Sequence, residues 1–375
     1  MRAAVYRGLR DVRVEDVPRP DAGPGELLVR IACCGVCWTD LKKIDHATVP
    51  PPRIFGHEMA GVVERAGAGV AKFREGDRVQ VYHHIPCRNC AYCARKLYAQ
   101  CPVYKRTGVT AGFEPSGGGF AEWVRVMPWI VEGGGVTPVP DDASLEAASW
   151  LEPVNTCLKC VLVAKAREGD VVLVVGAGAI GQVIARILLL DGARVVVSEP
   201  LEDRRAKALA SGAELALDPR TDDVPARCRD LTSGRGADVA ILAVPGQAPL
   251  DTAVQSVRPG GRIVLFAHTK LDDPVTVDGG QICFLEKDVV GAYSADADLN
   301  DEVAALVFSG DLKLADLVTD RLPLERAPEA FDLARKPRPG SLKVLVTMGD
   351  ADLPHRAEPP DAGGSGSAAG QGPDA

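Results

Sequence analysis

Between Leu27 and Val126 the apolar residues fall in short valine-containing runs, LLVRIA, MAGVVERAG, DRVQVY and AEWVRV, punctuated by Gly and Pro. Runs of this length bounded by turn formers predict an irregular, mainly antiparallel β region over residues 1–150. From about Val154 the texture changes. VVLVVGAG is an all-apolar strand ending in a glycine turn, and Ile180–Leu190 follows with the spacing of an amphipathic helix. RVVVSEP, DVAILAV and GRIVLFA repeat the strand, while EDRRAKALASGA and QAPLDTAVQSVRPG repeat the helix. Strand and helix alternating at this spacing predict a parallel sheet covered on both faces. After DVVGAY the pattern is mixed again and ends in the strand SLKVLVTM, which is expected to return to the first region.

The last segment, GDADLPHRAEPPDAGGSGSAAGQGPDA, has no period and almost no apolar bulk. It cannot bury enough surface to offset its ordering entropy, so residues 349–375 are expected to be a disordered tail. The tail also shapes the charge. The chain carries −8, and from Asp350 onward five acids against one arginine give −4, half of that excess. No basic run is interleaved with aromatics, which argues against nucleic-acid binding. The longest apolar runs, such as Val171–Val175, are far shorter than the roughly 18 residues that span a bilayer. The start, MRAAVYRGLR, has no apolar segment like a secretion signal, and a cytoplasmic location is expected.

Eleven cysteines, an odd number and unevenly clustered, favour metal ligation over a disulfide framework. Four of them, Cys87, Cys90, Cys93 and Cys101, stand at C-x2-C-x2-C-x7-C. Three further pieces carry metal-capable side chains beside glycines or a proline: GVCWTD with Cys37, FGHEMAG with His57 and Glu58, and LEPVNT with Glu152. A thiolate, an imidazole and a carboxylate together make a mixed zinc site with room for an exchangeable ligand.

The strand VVLVV is followed directly by Gly176, Gly178 and Gly181 in G-x-G-x-x-G, opening a helix at Ile180. In that context the glycines serve a tight turn, close backbone approach to a pyrophosphate, and helix–strand packing. Glu199 ends the next strand, where a carboxylate accepts ribose hydroxyls and repels a 2′-phosphate, which favours NAD over NADP. Arg204 and Arg205 lie close enough to complicate that choice; Arg204 is a candidate cofactor contact.

With these pieces in order, the sequence resembles the zinc-dependent alcohol dehydrogenases of the medium-chain dehydrogenase/reductase family. GHEMAGVVERAGAGV fits that family's signature G-H-E-x2-G-x5-G-x2-V, and EGDRV, the cysteine loop, GGGFAEWV and GAGAIG follow in its order. LEPVNTCLK looks like the sorbitol, threonine and polyol dehydrogenase branch. The resemblance implies a GroES-like β-rich catalytic domain and a Rossmann doubly wound parallel sheet domain, with the active site between them. The expected division is 1–153 catalytic, 154–291 NAD-binding and 292–348 returning to the catalytic domain.

Carried over residue by residue, the resemblance implies two zinc ions per chain and NAD. Cys37 and His57 would bind the catalytic zinc, with Glu58 and Glu152 as alternatives for the remaining place, directly or through water. The four-cysteine loop would close a structural zinc, disulfides being the other reading. Thr39 would bond the substrate oxygen and relay its proton, and Asp40 would orient the histidine ligand. Cys157 reads as packing. Lys42 departs from the pattern, since many relatives have a relay histidine there; His46 could replace it or be a surface residue.

Trp38, Phe113, Glu114 and Tyr293 are candidate pocket walls, and His83 and His84 read as structural or exposed. The branch implies oxidation of a secondary alcohol on a polyol, sugar, cyclitol or aminosugar, with a threonine-type hydroxy amino acid as the alternative. A nucleotide-binding zinc protein without turnover is a further alternative. QICFLEKDVVGAY resembles the segment through which relatives pair sheets, so a homodimer or homotetramer is expected.

Overall fold

The computed structural model describes residues 1–106, 108–113, 117–267 and 274–349. Glu114 and the tail from residue 350 onward, with the expectations attached to them, lie outside the described residues.

The β-rich region is built around the strand Leu27–Gly35, buried along most of its length. It pairs antiparallel with Glu58–Ala66, which pairs with Arg78–Val81, which pairs with Val136–Pro138. Trp123–Val126 covers the first half of Leu27–Gly35, and Lys343–Thr347 covers its last three residues. The predicted C-terminal strand therefore does come back to the first β region. Val318–Pro323 extends the sheet in parallel beyond it. The inward side chains Val29, Ile31, Met59, Val79, Val124, Phe120 and Phe331 form one core.

The second sheet has six parallel strands in the spatial order Leu215–Leu217, Arg194–Ser198, Val171–Val175, Ala237–Leu242, Val257–Leu265, Asp288–Gly291. Numbered along the chain this is 3-2-1-4-5-6, so direction of growth reverses beside Val171–Val175, where such sheets place their ligands. Every residue of Val171–Val175 is buried because both faces are covered. Val172 and Val174 face one apolar cluster; Val171, Leu173 and Val175 face the other.

One expected helix is shorter than its sequence suggested. QAPLDTAVQSVRPG is helical only over Gln247–Ser256, and Val257 already opens the next strand. Pro259 disfavours helical backbone at the residue before it and cannot donate to a helix ladder. The strand Leu215–Leu217 and the helix Val224–Asp230 gave no clear periodic signal because both are short.

The helix Leu151–Ala164 joins the two regions, carrying Glu152 in its first turn and packing onto the parallel sheet. Asn155, fully buried on this helix, donates to Asp296 O and accepts from Asp296 N, at 3.0 and 2.7 Å. That side chain fixes the helix to the segment following Asp288–Gly291.

Candidate active site

Cys37 caps the helix Trp38–His46 from extended backbone, so its thiol lies at the helix entrance. Asp40, Leu41 and Ile44 form the buried face of this helix. Asp40 Oδ1 lies 3.2 Å from His57 Nδ1, which leaves Nε2, on the side of Thr39, as the nitrogen that could hold a metal. Burial acts against charge on both groups. Their mutual attraction, with Cys37 acting on His57 and Lys43 on Asp40, wins, holding Asp40 below the ordinary carboxylate range and His57 well above the ordinary imidazole value.

His57 is held by glycines. Gly56 has φ +99°, and a Cβ there would meet Phe120 N at 2.7 Å and Cys34 Sγ at 2.8 Å. A Cβ on Gly117 would collide with Gly56 O and come within 3.3 Å of His57 Cβ. The GGG run is therefore the wall behind the histidine.

Glu58 opens the next strand directly opposite Gly35. Its carboxylate forms a buried ion pair with Lys343, whose Nζ also lies 5.3 Å from the Trp150 ring centroid. A side chain on Gly35 would overlap Glu58 Oε2 and the Lys343 stem. Lys343 was not foreseen. The signal was present as one lysine within the apolar strand SLKVLVTM, at a position the sheet buries.

The ligand atoms of Cys37, His57 and Glu58 all lie within 4.8 Å of one another. Thr39 Oγ1 stands beside them, 3.1 Å from Cys37 Sγ and 3.4 Å from His57 Nε2. Of the two alternative carboxylates, Glu58 is the one in this group and Glu152 is not. Glu152 nevertheless belongs to the same buried surroundings. Burial raises its carboxyl to about 7, against the opposing charge of His57. The set of soft thiolate, borderline imidazole and hard carboxylate is one that zinc accepts.

All eleven cysteines are free thiols. The ligand atoms of Cys87, Cys90, Cys93 and Cys101 form a second group within 4.8 Å. Cys90 Sγ is 3.5 Å and Cys87 Sγ 3.9 Å from Cys93 Sγ. Sulfurs on a tetrahedral zinc at 2.3 Å would stand about 3.8 Å apart, so the quartet fits a closed site. The lobe has only a small core, Cys93, Tyr98, Cys101 and Tyr104. It is tied across to the other region by Tyr98 OH and Arg88 on Asp298, at 2.7 and 2.9 Å, and by Tyr104 OH to Ser294 Oγ at 3.1 Å.

On the parallel sheet, Gly176 takes φ +95° and Gly181 leaves no room for a Cβ against Gly176 O. A Cβ on Gly178 would meet only Arg204 Nη1, at 3.7 Å, so the backbone there is open to a ligand. Gly178 caps the helix Ala179–Leu190 without a side-chain cap, leaving Ile180 and its neighbours to present N–H groups to an anion. Arg204 Nε is buried without a partner, beside that opening. Glu199 accepts from Ala177 N at 2.8 Å and from Leu201 N at 3.1 Å. One lone pair on each oxygen is thereby used and the other remains.

The other candidates separate. Trp38 is exposed at the helix start and His46 at its end. Phe113 packs against the β-rich core, its ring 6.0 Å from the Arg7 guanidinium. Tyr293 is partly exposed beside Lys105. Cys157 is fully buried in the core below the glycine loop. Burial lowers the Lys42 ammonium, against the charge of Cys37. His83 and His84 are neither isolated nor fully exposed: a row of rings runs from His57 through His83 and His84 to Tyr104.

Residues 23–141 match the alcohol dehydrogenase GroES-like domain and residues 179–309 the zinc-binding dehydrogenase domain. The chain is 30% identical to (R,R)-butanediol dehydrogenase of Neisseria gonorrhoeae, over 92% of this chain and 99% of that one. The chain belongs to the zinc-dependent medium-chain dehydrogenase family. It is also 32% identical to L-threonine 3-dehydrogenase of Pyrococcus horikoshii, over 88% of this chain and 93% of the relative. A zinc-binding dehydrogenase of Sinorhizobium meliloti, solved with NADP, superimposes with TM-score 0.83 at 26% identity, covering 92% and 98% of the two chains. Alcohol dehydrogenase TADH from Thermus sp. ATN1 gives 0.81 at 28%, covering 93% and 100%. This medium-chain dehydrogenase is thus an oxidoreductase, a zinc- and NAD(P)-dependent alcohol dehydrogenase. Its doubly wound parallel sheet and GroES-like sheet are those of the family, and none of its described helices is long and apolar enough to cross a membrane.

Proposed function

We propose that this dehydrogenase oxidises a secondary alcohol of a polyol, sugar, cyclitol or aminosugar to a ketone, with NAD, using one catalytic and one structural zinc. The observation that carries the reading is the convergence of Cys37, His57 and Glu58, with Thr39 beside them, in a chain that also holds the glycine loop. Zinc bound there would supply the Lewis acidity that lets an alcohol ionise near neutral pH, and NAD the hydride acceptor. Thr39 Oγ1 is placed to accept the substrate hydroxyl's proton and pass on its own. Asp40 fixes the ring of His57, and the Gly35–Glu58–Lys343 packing keeps a compensated carboxylate at the metal's side. Glu152 borders the same space.

Butanediol, sorbitol and threonine, the compounds in the names of relatives, each carry a polar group on the carbon beside a secondary carbinol. That shared chemistry supports a substrate of more than one polar group. NAD is favoured because Glu199 ends the second strand and two guanidiniums near it, apart from Arg204 beside the glycine loop, are engaged. Arg205 bonds Glu199 O and Pro200 O and pairs with Asp218, and Arg220 also pairs with Asp218. Neither is left to receive a 2′-phosphate.

We also assign the chain to the cytoplasm and to a dimer or tetramer paired through Asp288–Gly291, the last strand of its sheet, near exposed Phe284. The divisions 1–153, 154–291 and 292–348 stand as part of this proposal, the first falling within the helix Leu151–Ala164. NADH formation across polyols, cyclitols, aminosugars, 3-hydroxy amino acids and simple alcohols tests the reading. Turnover of polyfunctional secondary alcohols with NAD is expected; turnover confined to simple primary alcohols would overturn the substrate class.

A further inference from the structure

The glycine loop and the Glu58–Lys343 pair belong to different sheets, and one side chain stands between the segments that carry them. Arg204 lies in the helix Glu202–Ala210. Its Nη1 is 3.7 Å from the place a Cβ would take on Gly178, and its Nη2 donates to Ser341 O at 3.4 Å. Ser341 belongs to the turn that leads into the strand Lys343–Thr347, so this carbonyl sits just ahead of Lys343.

Both ends of the link are anchored. Gln182, which follows Gly181 and is buried, donates to Ala177 O of the glycine loop and to Arg204 O, at 3.2 and 2.9 Å. The neighbouring Asp203 accepts from Gly340 N at 2.5 Å. On the other side of the turn, buried Asp320 accepts from Ser341 Oγ at 2.7 Å and pairs with Arg338, while Thr319 Oγ1 accepts from Leu342 N at 2.9 Å. The turn is held by Asp203 and Arg204 of one region and by Thr319 and Asp320 of the other.

A guanidinium carries several donors in a rigid fork. Among the described residues, the Arg204 side chain makes one hydrogen bond, the long one to Ser341 O, and its Nε is buried without a partner. Polar groups withdrawn from water ordinarily find partners, so donors left over beside Gly178 call for an acceptor. The phosphates of a dinucleotide bring one to that helix start. An ammonium could hold a phosphate there. Only the fork can hold a phosphate and a carbonyl together.

We infer that Arg204 is a positioning residue that links nucleotide to metal. With Nη1 on a phosphate and Nη2 on Ser341 O, it fixes the turn 338–342 and through it Lys343, which keeps Glu58 grouped with Cys37 and His57. The inference rests on the dehydrogenase reading above and adds a linkage to it: nucleotide and zinc each bind more tightly in the presence of the other, by the same factor.

Zinc retention by the holoenzyme against graded chromophoric chelator, with and without saturating NADH, measures the linkage. In the wild type NADH should raise zinc affinity about fivefold or more. Arg204→Lys keeps a cation for the phosphate but loses the fork, so at saturating NADH most of that gain should disappear. Asp320→Asn, which weakens the hold on Ser341 from the side away from the glycine loop, should lower the gain likewise while NADH affinity by fluorescence titration stays that of the wild type. Should Asp320→Asn fail to fold, Arg204→Lys, on a largely exposed helix, decides alone. Zinc at the cysteine quartet contributes alike to every variant. A gain of equal size in all three proteins, or zinc affinity lowered in the variants equally with and without NADH, would overturn the linkage and leave the dehydrogenase reading in place. A wild-type protein that binds no NADH, or holds no zinc at Cys37 and His57, would overturn that reading and the linkage with it.

Discussion

Glu58 and Lys343 form a buried ion pair directly behind Cys37 and His57, in the space that Gly35 leaves by having no side chain. The two residues are 285 positions apart in sequence and meet because Lys343–Thr347 and Glu58–Ala66 flank the same strand, Leu27–Gly35. Lys343 also donates to Val36 O at 3.4 Å. Burial, the largest single influence, would lower its ammonium, but the charge and hydrogen bond of Glu58 together with the charges of Cys37 and Glu152 raise it.

Lys343→Met removes one half of this pair and leaves a buried carboxylate without compensation, a change that typically costs about 3–5 kcal/mol. The melting temperature should fall, and zinc content and activity with it, because the uncompensated Glu58 would no longer be held beside Cys37 and His57. Lys343→Arg should retain most of both. Gly35→Ala should resemble Lys343→Met, since its methyl displaces the same two side chains. Thermal unfolding alongside metal analysis checks the set; a Lys343→Met enzyme of normal activity would show that Glu58 needs no restraint.

Asp40 affects the metal through His57. Replacing it with Asn removes the charge that orients the ring and strengthens its basicity, and metal affinity should drop about 10- to 100-fold at pH 8. The sign reverses its weight in acid. Asp40 raises the proton affinity of metal-free His57, so in the wild type zinc must compete with a more tightly held proton. The gap between wild type and Asp40→Asn should therefore narrow as pH falls. Competition with a chromophoric chelator at several pH values measures it.

Glu152 gives the metal-free protein a pH dependence of its own. Burial, the dominant cause, raises its carboxyl from 4.5 to about 7 despite the charge of His57. Below pH 4.5 the group is protonated in both folded and unfolded chains. Between pH 4.5 and about 7 the unfolded chain ionises first, so this contribution to stability is lost as pH rises. The loss is about 3 kcal/mol by pH 8. Glu152→Gln should remove that decline, making the variant relatively more stable above neutrality when both proteins are stripped of metal. Urea unfolding at pH 5 and pH 8 checks the sign.

The cysteine lobe stabilises the protein and also links its two regions. Under the two-zinc proposal, Cys90→Ser should lower zinc content by about one ion per chain and lower the melting temperature before it alters kcat. Asp298 accepts from Tyr98 and Arg88 of the lobe and lies within 3.4 Å of Lys96. Asp298→Asn should loosen the segment around Ser294, raising KM for NAD with little change in metal content. If zinc content per chain were normal in Cys90→Ser, the lobe would not be a metal site.

Motifs defined by residues close in sequence were legible before the structure. The glycine loop, the cysteine quartet and the GHE and EPVN pieces each announce a local geometry, and strand–helix alternation announced the parallel sheet. What sequence could not supply was long-range pairing. Lys343 looks like a flaw in an apolar strand until register places it on Glu58. His83 and His84 look like an exposed pair until the fold aligns them with His57. Which of Glu58 and Glu152 groups with Cys37 and His57 was equally out of reach, since the strand start and the helix start that carry them are oriented by different sheets.

Cofactor choice gives the sharpest test of the sheet's far edge. Glu199 lies at the end of Arg194–Ser198 with both oxygens fixed by Ala177 N and Leu201 N, so its position is set before any nucleotide arrives. A ribose hydroxyl needs only the remaining lone pairs, whereas a 2′-phosphate would face a fixed negative charge. Asp218 completes the arrangement by occupying Arg205 and Arg220. Glu199→Gln should raise the NADP/NAD ratio of kcat/KM about tenfold by removing repulsion, a change near 1.4 kcal/mol. Asp218→Asn alone should raise it less, by releasing two guanidiniums that still face Glu199. The double variant should exceed the sum of the two effects in free energy, because the released cations then meet the phosphate without a competing carboxylate. Initial rates with both nucleotides decide it, and a wild-type enzyme that uses NADP as well as NAD would refute the role given to Glu199.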